Sequence, residues 1–476
     1  MIEGSREFVW TLTLLAISLT PGWSQAGSTP PGVDGQEGSV TQPVLDPDTP
    51  QTNQSSPTSD VDQPSIEPAT SVSQSYLAVG LHFSGGGESD PSGTGNSPQI
   101  APVSSILGSL NLQKLRPRSG TNIDYVGGAT YNGSYGGSGA YLEQLHRLDV
   151  DHHLQWRRTQ LNMRNSFYYM RDGIFGSSSF GGNGAYNLRF AENRTVPADS
   201  EAADYVGATQ MPLGQERLIT NVSAASLNQA LTRRSSISFA GSYSIADYTG
   251  NSQNLSNGRQ ITAQVGYNYQ VNRRDGFGVV YRYQRFQFTQ AGVGIITTSS
   301  AQFVYRRRVL NRLALVLGAG PEVATVTGST AANGQQLNAT AQASLQYNPR
   351  TYRLGLSYDR LETGGFGVFA GGNSNIFRFS IAHTISRLWR VSLESGYATS
   401  TSVEASSARV PVGSYDYGFA GGAVQHQLGP RFSVFASYQF NHENWPCGHA
   451  PACTSGFQQH IALIGLDWNI RPIRLE

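Results

Sequence analysis

The sequence predicts an all-β chain: a transmembrane antiparallel barrel of about 18 strands, preceded by a disordered N-terminal arm. Three observations predict it. Apolar and polar residues alternate with period 2 along segments of about ten residues. The connections alternate between short Arg-bearing turns and long loops of Gly, Ser, Asn and Thr. The composition is poor in both charge and apolar residues, at 14% charged and 38% hydrophobic, against about 25% and about 45–50% in ordinary globular domains.

The composition also excludes other classes. Mean hydropathy of −0.32 is too low for a bundle of membrane helices. An aromatic content of 10% beside so little charge does not suit a disordered chain, and a helical enzyme would need more Leu, Lys and Glu. Gly (54), Tyr (23) and Phe (20) suit strands with one apolar and one polar face. A net charge of +1 offers no basic field, so no nucleic-acid partner is expected. Two Cys in 476 residues exclude a disulfide-built scaffold and a four-Cys zinc site.

Taken in order, Phe8–Leu19 is an apolar run too short to cross the ~30 Å hydrocarbon core as an anchor. Ser24-Gln25-Ala26 follows with the spacing of small residues that signal peptidase cuts, so residues 1–26 are expected to be a secretory signal. Its n-region is weakly charged, with Glu3 and Glu7 against Arg6; a buried helix is the alternative. Residues 27–75 are Pro, Ser, Thr, Gln and Asp with almost no aromatics, which cannot bury a core and reads as a flexible linker, with a mucin-like stalk as the competing reading.

From Tyr76 to the end the chain reads as the barrel, residues 76–476. Alternation places strands at 76–84, 103–115, 121–131, 141–156, 160–170, 217–230, 235–247, 260–271, 277–289, 294–308, 312–326, 336–347, 351–362, 375–386, 389–400, 414–428, 431–443 and 457–470. The clearest is 261–271, where Ile261, Ala263, Val265, Tyr267, Tyr269 and Val271 alternate with Thr262, Gln264, Gly266, Asn268 and Gln270. The same pattern puts Ile237, Phe239, Tyr243 and Ile245 on one face, as it does Leu354, Leu356 and Tyr358, and Phe432, Val434, Ala436, Tyr438 and Phe440. Sixteen strands is the fallback, because the first two are the least regular.

The short turns carry Arg116-Pro-Arg118, Arg157-Arg158, Arg233-Arg234, Arg273-Arg274, Arg306–Arg308 to Arg312, Asn348-Pro-Arg350, Arg387–Arg390 and Gly429-Pro-Arg431, whereas Lys114 is the only lysine. Two kinds of connection imply two distinct ends. Trp156, Trp389 and Trp468 sit at strand ends beside the Arg turns, where an amphipathic indole suits a membrane–water boundary. Soluble sandwiches and propellers alternate too. Here the polar faces show no second hydrophobic set to pack on, the strands are long enough to cross a tilted bilayer path, and no blade motif repeats. In hydrocarbon every backbone N–H and C=O must pair, so such strands cross only as a closed cylinder.

Over residues 76–470 this architecture resembles Gram-negative outer-membrane β-barrels of the porin type. The last strand, Gly465-Leu-Asp-Trp468-Asn-Ile470, is similar to the C-terminal signature that such barrels present to the outer-membrane insertion machinery, although the chain continues through Arg471–Glu476. The resemblance implies the outer membrane as location, the arm in the periplasm, lipid and the insertion machinery as partners, and homotrimers as an assembly, though no residue marks an interface. It implies a channel for passive diffusion of small hydrophilic solutes. The alternatives are a non-conducting structural or adhesive barrel and, third, a barrel hydrolase.

If the apolar face meets lipid, the other lines a lumen. Asp124, Glu143, Arg147, Asp149, Arg164, Arg282, Asp359, Arg378, Glu394 and Asp416 fall at polar-phase positions and are the expected lumen charges; pairing only with one another is the plainer reading of each. The longest connection, about Arg171–Glu216, follows the fifth strand. A porin constriction loop leaves the barrel at that place, so the resemblance implies an inward fold for Asp199, Glu201 and Asp204, with an external loop as the alternative. Cys447 and Cys453 enclose five residues in an outer loop and read as a disulfide in an oxidising compartment. With His449 they would give a metal only three donors, so no metal and no cofactor is expected. No enzyme is expected either: no HExxH or GxSxG stands in a usable context, and the outer-face Ser–His pair of barrel phospholipases is not found around His82, His146, His152, His153, His383, His426, His442 or His460.

Overall fold

The computed structural model describes residues 75–89, 100–133, 141–171, 217–248, 257–289, 294–310, 312–328, 334–349, 351–363, 371–402, 414–444 and 457–475. The expected signal, the arm up to residue 74, the loop carboxylates Asp199, Glu201 and Asp204, and the Cys447–Cys453 pair lie outside the described residues.

Eighteen long strands run in chain order: β1 (Tyr76–Ser89), β2 (Ile100–Arg116), β3 (Ser119–Asn132), β4 (Tyr141–Gln155), β5 (Thr159–Arg171), β6 (Arg217–Ala230), β7 (Ser235–Tyr248), β8 (Gly258–Gln270), β9 (Asp275–Phe288), β10 (Ile295–Leu310), β11 (Leu313–Thr327), β12 (Gly334–Tyr347), β13 (Tyr352–Thr363), β14 (Gly372–Thr384), β15 (Trp389–Ser402), β16 (Ser414–Gln427), β17 (Phe432–Asn444) and β18 (Phe457–Asn469). Each pairs antiparallel with the next, and β18 returns to β1 from Gly80↔Asn469 to Glu88↔Ile461, which closes the ring. A nineteenth element, β19 (Ile473–Arg474), continues along β1 opposite Leu77 and Tyr76. The eighteen-strand count therefore holds and sixteen does not. Closure gives every strand a hydrogen-bonded neighbour on both sides.

The first strand runs five residues further than alternation suggests, because Gly85-Gly86-Gly87 is strand and not loop. A β-carbon at Gly86 would stand 1.8 Å from the Ala462 carbonyl oxygen, so glycine is what lets β18 approach there. The β12–β13 seam is the short one: it pairs only from Ala341↔Arg360 to Tyr347↔Leu354. Beyond it, the Thr340 hydroxyl donates to the Arg360 carbonyl at 2.9 Å.

Register carries one face outward all round the ring. Ile464 is 71% exposed, Ile106 59%, Val279 and Phe303 each 54%, and the residues assigned by alternation (Ile237, Phe239, Tyr243, Ile261, Tyr267, Leu356, Tyr358, Phe432, Tyr438) share that face. An exterior of exposed aliphatic and aromatic side chains on a closed ladder is solvated by lipid, not water. The opposite face is not uniformly polar, which corrects one expectation. Towards the long connections it holds Leu218, Ala246, Tyr248, Phe286, Phe288, Ile296 and Val326 on β6–β11, and Val103, Leu107, Leu145, Ile461 and Leu463 on β18, β2 and β4. These apolar belts are buried inside the ring; the outward alternation is so regular that the sparser inward apolar residues do not register against it.

Candidate functional site

Nine of the ten expected lumen charges point inward. Asp416 is the exception: it is opposite Thr399 on the outer face and accepts a hydrogen bond from the Tyr397 hydroxyl at 3.3 Å. In β16 the aromatics Tyr417 and Phe419 take the inner face, with Tyr417 1% exposed, so polarity alone points to the wrong side there.

The inward charges gather on the β2–β5 wall. Register aligns Asn111, Asp124, Asp149 and Ser166 in one row, and Val126, Arg147 and Tyr168 in the next. Arg147 Nε donates to Asp149 Oδ2 at 2.7 Å, and Ser166 Oγ donates to Asp149 Oδ1 at 2.6 Å. The Arg147 guanidinium lies 5.4 Å from the Tyr168 ring centroid, a cation–π contact in a desolvated place. Asn111 and Asn122 both donate to the Asp124 carboxylate. Arg164 Nε is 3.4 Å from Asp151 Oδ1. Three carboxylates and two guanidinium groups thus share one patch of wall. Removing one member of the buried Arg147–Asp149 pair would leave the other uncompensated, at about 3–5 kcal/mol.

A second charged patch lies on β13–β15. Asp359 pairs with Ile376 and Ser357 with Arg378, while Arg378 pairs with Gly396 and Ser380 with Glu394. Asp359, Arg378 and Glu394 are therefore diagonal neighbours of alternating sign on three adjacent strands. In a ring of eighteen, β13 is nine strands from β4 in either direction, so the two patches face each other across the interior. Between them Arg282 on β9 donates from Nε to Gln264 at 3.1 Å, two strands from Glu322 on β11 in the same row. Glu322 Oε1 accepts the backbone N–H of Glu362 at 3.1 Å across the short β12–β13 seam. Both carboxylate oxygens of Glu362 are buried without a hydrogen-bond partner among the described residues.

Trp156 and Trp389 are outward and exposed, and Trp468 is outward beside the last short turn. All three stand at the Arg-turn end. Trp389 packs against His426 with ring centroids 4.3 Å apart and planes tilted by 32°.

Reading by residue type missed Asp151, which the parity of Asp149 could have supplied, and missed a chain of hydrogen bonds at the closure. Gln425 Nε2 donates to Ser433 Oγ (3.0 Å), Ser433 Oγ donates to Asp467 Oδ2 (3.0 Å), and His82 bridges Asp467 Oδ1 (2.7 Å, through Nδ1) and Ser109 Oγ (2.8 Å, through Nε2). No local spacing signals it, because its members come from β16, β17, β18, β1 and β2.

No protein-family model matches the chain, and no curated protein matches its sequence. Among solved structures the chain is similar to Pseudomonas aeruginosa OpdQ, at 10% identity over 84% of this chain and 98% of that one, with a TM-score of 0.39. It is similar to Pseudomonas aeruginosa OpdK, solved with vanillate, at 10% identity over 83% and 99%, TM-score 0.39. It is also similar to the FrpB iron transporter of Neisseria meningitidis, at 8% identity over 83% and 82%, TM-score 0.39. The strand number and closure of this chain rest on its own register.

Proposed function

We propose that the protein is an outer-membrane channel for passive diffusion of small hydrophilic solutes. The observation that supports it most is the pairing of an exposed apolar exterior with charged patches facing each other inside one closed ring. Solutes would pass between the β3–β5 charges and the β13–β15 charges, whose fixed positions set a transverse field at the waist. On this reading residues 1–26 direct export and residues 27–75 lie in the periplasm. Cys447 and Cys453 form a disulfide, and the Arg171–Glu216 connection carries Asp199, Glu201 and Asp204 towards the lumen. The partners are lipid, the insertion machinery through β18, the permeating solutes and, as a trimer, further copies of the chain.

Planar-bilayer recording tests the reading. Folded protein is expected to give discrete conductance steps, and Glu394→Gln is expected to shift the reversal potential towards anions. Steps unaltered by changes on both charged patches would mean that these walls do not line the path. A non-conducting structural barrel is favoured by one observation, the apolar belt at the long-connection end, where Phe286 and Ile296 are wholly buried. Silence from folded protein would select it.

A further inference from the structure

We propose that Ser109, His82 and Asp467 form an acyl-transfer centre on the inner wall of the barrel, one that hydrolyses small esters admitted to the interior. This goes beyond a channel and does not rest on conductance.

The proton directions are set by the chain of hydrogen bonds. The Gln425 amide can only donate through Nε2, so Ser433 accepts from it and turns its own O–H to Asp467 Oδ2. Asp467, 1% exposed, then accepts on both oxygens, the second from His82 Nδ1–H. With the proton on Nδ1, Nε2 presents its lone pair to the Ser109 hydroxyl, 2.8 Å away. A nucleophile within reach of a base, and a base oriented by a buried carboxylate, is the arrangement that activates serine. Burial is graded the right way: Asp467 and His82 are covered, whereas Ser109 is partly exposed to the interior.

Only glycine fits opposite the nucleophile. Gly80 stands opposite Ser109, and a β-carbon there would lie 2.7 Å from Ser109 Oγ and 2.6 Å from Asn469 Oδ1. The missing side chain lets the serine hydroxyl and the Asn469 carboxamide both close over the Gly80 backbone. In the reaction Ser109 Oγ bonds to the carbonyl carbon while its proton moves to His82 Nε2. The bond to the alcohol oxygen breaks as Nε2 returns that proton to it. Water then attacks the acyl carbon and gives a proton to Nε2, and the bond to Ser109 Oγ breaks as Oγ takes that proton back. Ester and water become carboxylic acid and alcohol, with no change of oxidation state.

The test uses full-length protein refolded in detergent, its folding checked by heat-modifiable gel mobility. It is treated with a fluorophosphonate probe and, in parallel, with p-nitrophenyl acetate. Peptide mass spectrometry is expected to find the phosphonyl group on Ser109, at a rate that rises as imidazole loses its proton. His82→Ala or His82→Gln is expected to slow labelling and ester turnover by at least about 100-fold. Ser105→Ala, on the same face in a separate Ser84–Ser105 pair at 2.8 Å, is expected to label normally. A folded wild-type barrel with unlabelled Ser109, or equal labelling after either His82 substitution, overturns the proposal. If both His82 variants fail to fold, labelling of the wild-type barrel decides it: a hydroxyl that merely braces the seam does not react with the probe.

Discussion

At the scale of single residues, the short turns repeat one device that their Arg content hides. Thr232, Asn272 and Ser386 occupy the same place in three turns. Thr232 Oγ1 accepts the N–H groups of Arg234 and Ser235 (3.1 and 3.0 Å), Asn272 Oδ1 those of Arg274 and Asp275 (2.7 and 2.8 Å), and Ser386 Oγ those of Leu388 and Trp389 (both 3.2 Å). Each side chain satisfies backbone donors that the ladder leaves open. At the rim of the Asn272 turn the Asp275 carboxyl is held below the ordinary value of 3.8, first by the Asn272 amide, which donates at 2.8 Å, and then by the Tyr305 hydroxyl. A carboxyl depressed in the folded state contributes stability that is present above its unfolded pKa and lost as pH falls through the folded one. Asn272→Ala is therefore expected to lower stability in full above about pH 4, a deficit that fades as Asp275 is protonated, and so to raise the pH midpoint at which the heat-modifiable form disappears. An unchanged midpoint would show that this turn does not limit acid stability.

At the scale of the element, inward glycines decide how closely a neighbouring strand's carbonyl stands to the inner face. Gly86 on β1 and Gly320 on β11 would each bring a β-carbon to 1.8 Å from a neighbouring strand's carbonyl oxygen, that of Ala462 and that of Ala301. The empty position at Gly320 also lets Gln302 reach past β11 and donate to Thr340 at 2.6 Å. Gly85, one residue from Gly86 on the outer face, has its nearest atom at 4.0 Å. Gly86→Ala is expected to cost about 1–3 kcal/mol or more through overpacking against backbone, and Gly85→Ala close to nothing. The yield of heat-modifiable barrel from parallel refolding compares the two directly. Equal yields would mean that the β1–β18 seam can open to admit the methyl group.

For the whole molecule, closure is the organising event. Nine register pairs join β1 to β18, and among the described residues Ile470 adds an N–H to Val79 carbonyl bond of 2.9 Å, while the tail beyond it adds the β19 contacts and a Leu475 N–H to Ser75 carbonyl bond of 2.9 Å. A chain ending at Ile470 is therefore expected to reach the same heat-modifiable form in detergent as the full chain. Failure would move the closing signal into the tail. Closure also places the β4 and β13 charges on opposing walls, and it brings Asp467 to His82 across 385 positions of sequence.

The sequence by itself determined which side chains meet lipid. A strand has a side-chain period of 2, and the outward set is apolar in nearly every strand, so Ile237, Leu356 and Tyr438 could be assigned without coordinates. It determined the strand count as well, because Arg turns and Gly/Ser loops punctuate each hairpin. Only the tertiary structure decided the inner face. Asp416 turned outward because the partners of β16 set its register and the aromatic Tyr417 and Phe419 took the inside. The Glu322–Glu362 contact depends on two strands parting, and the Ser109–His82–Asp467 chain on which strands become neighbours. Alternation is local and survives in one dimension, whereas contacts across strands follow from register and closure, which no short stretch of sequence contains.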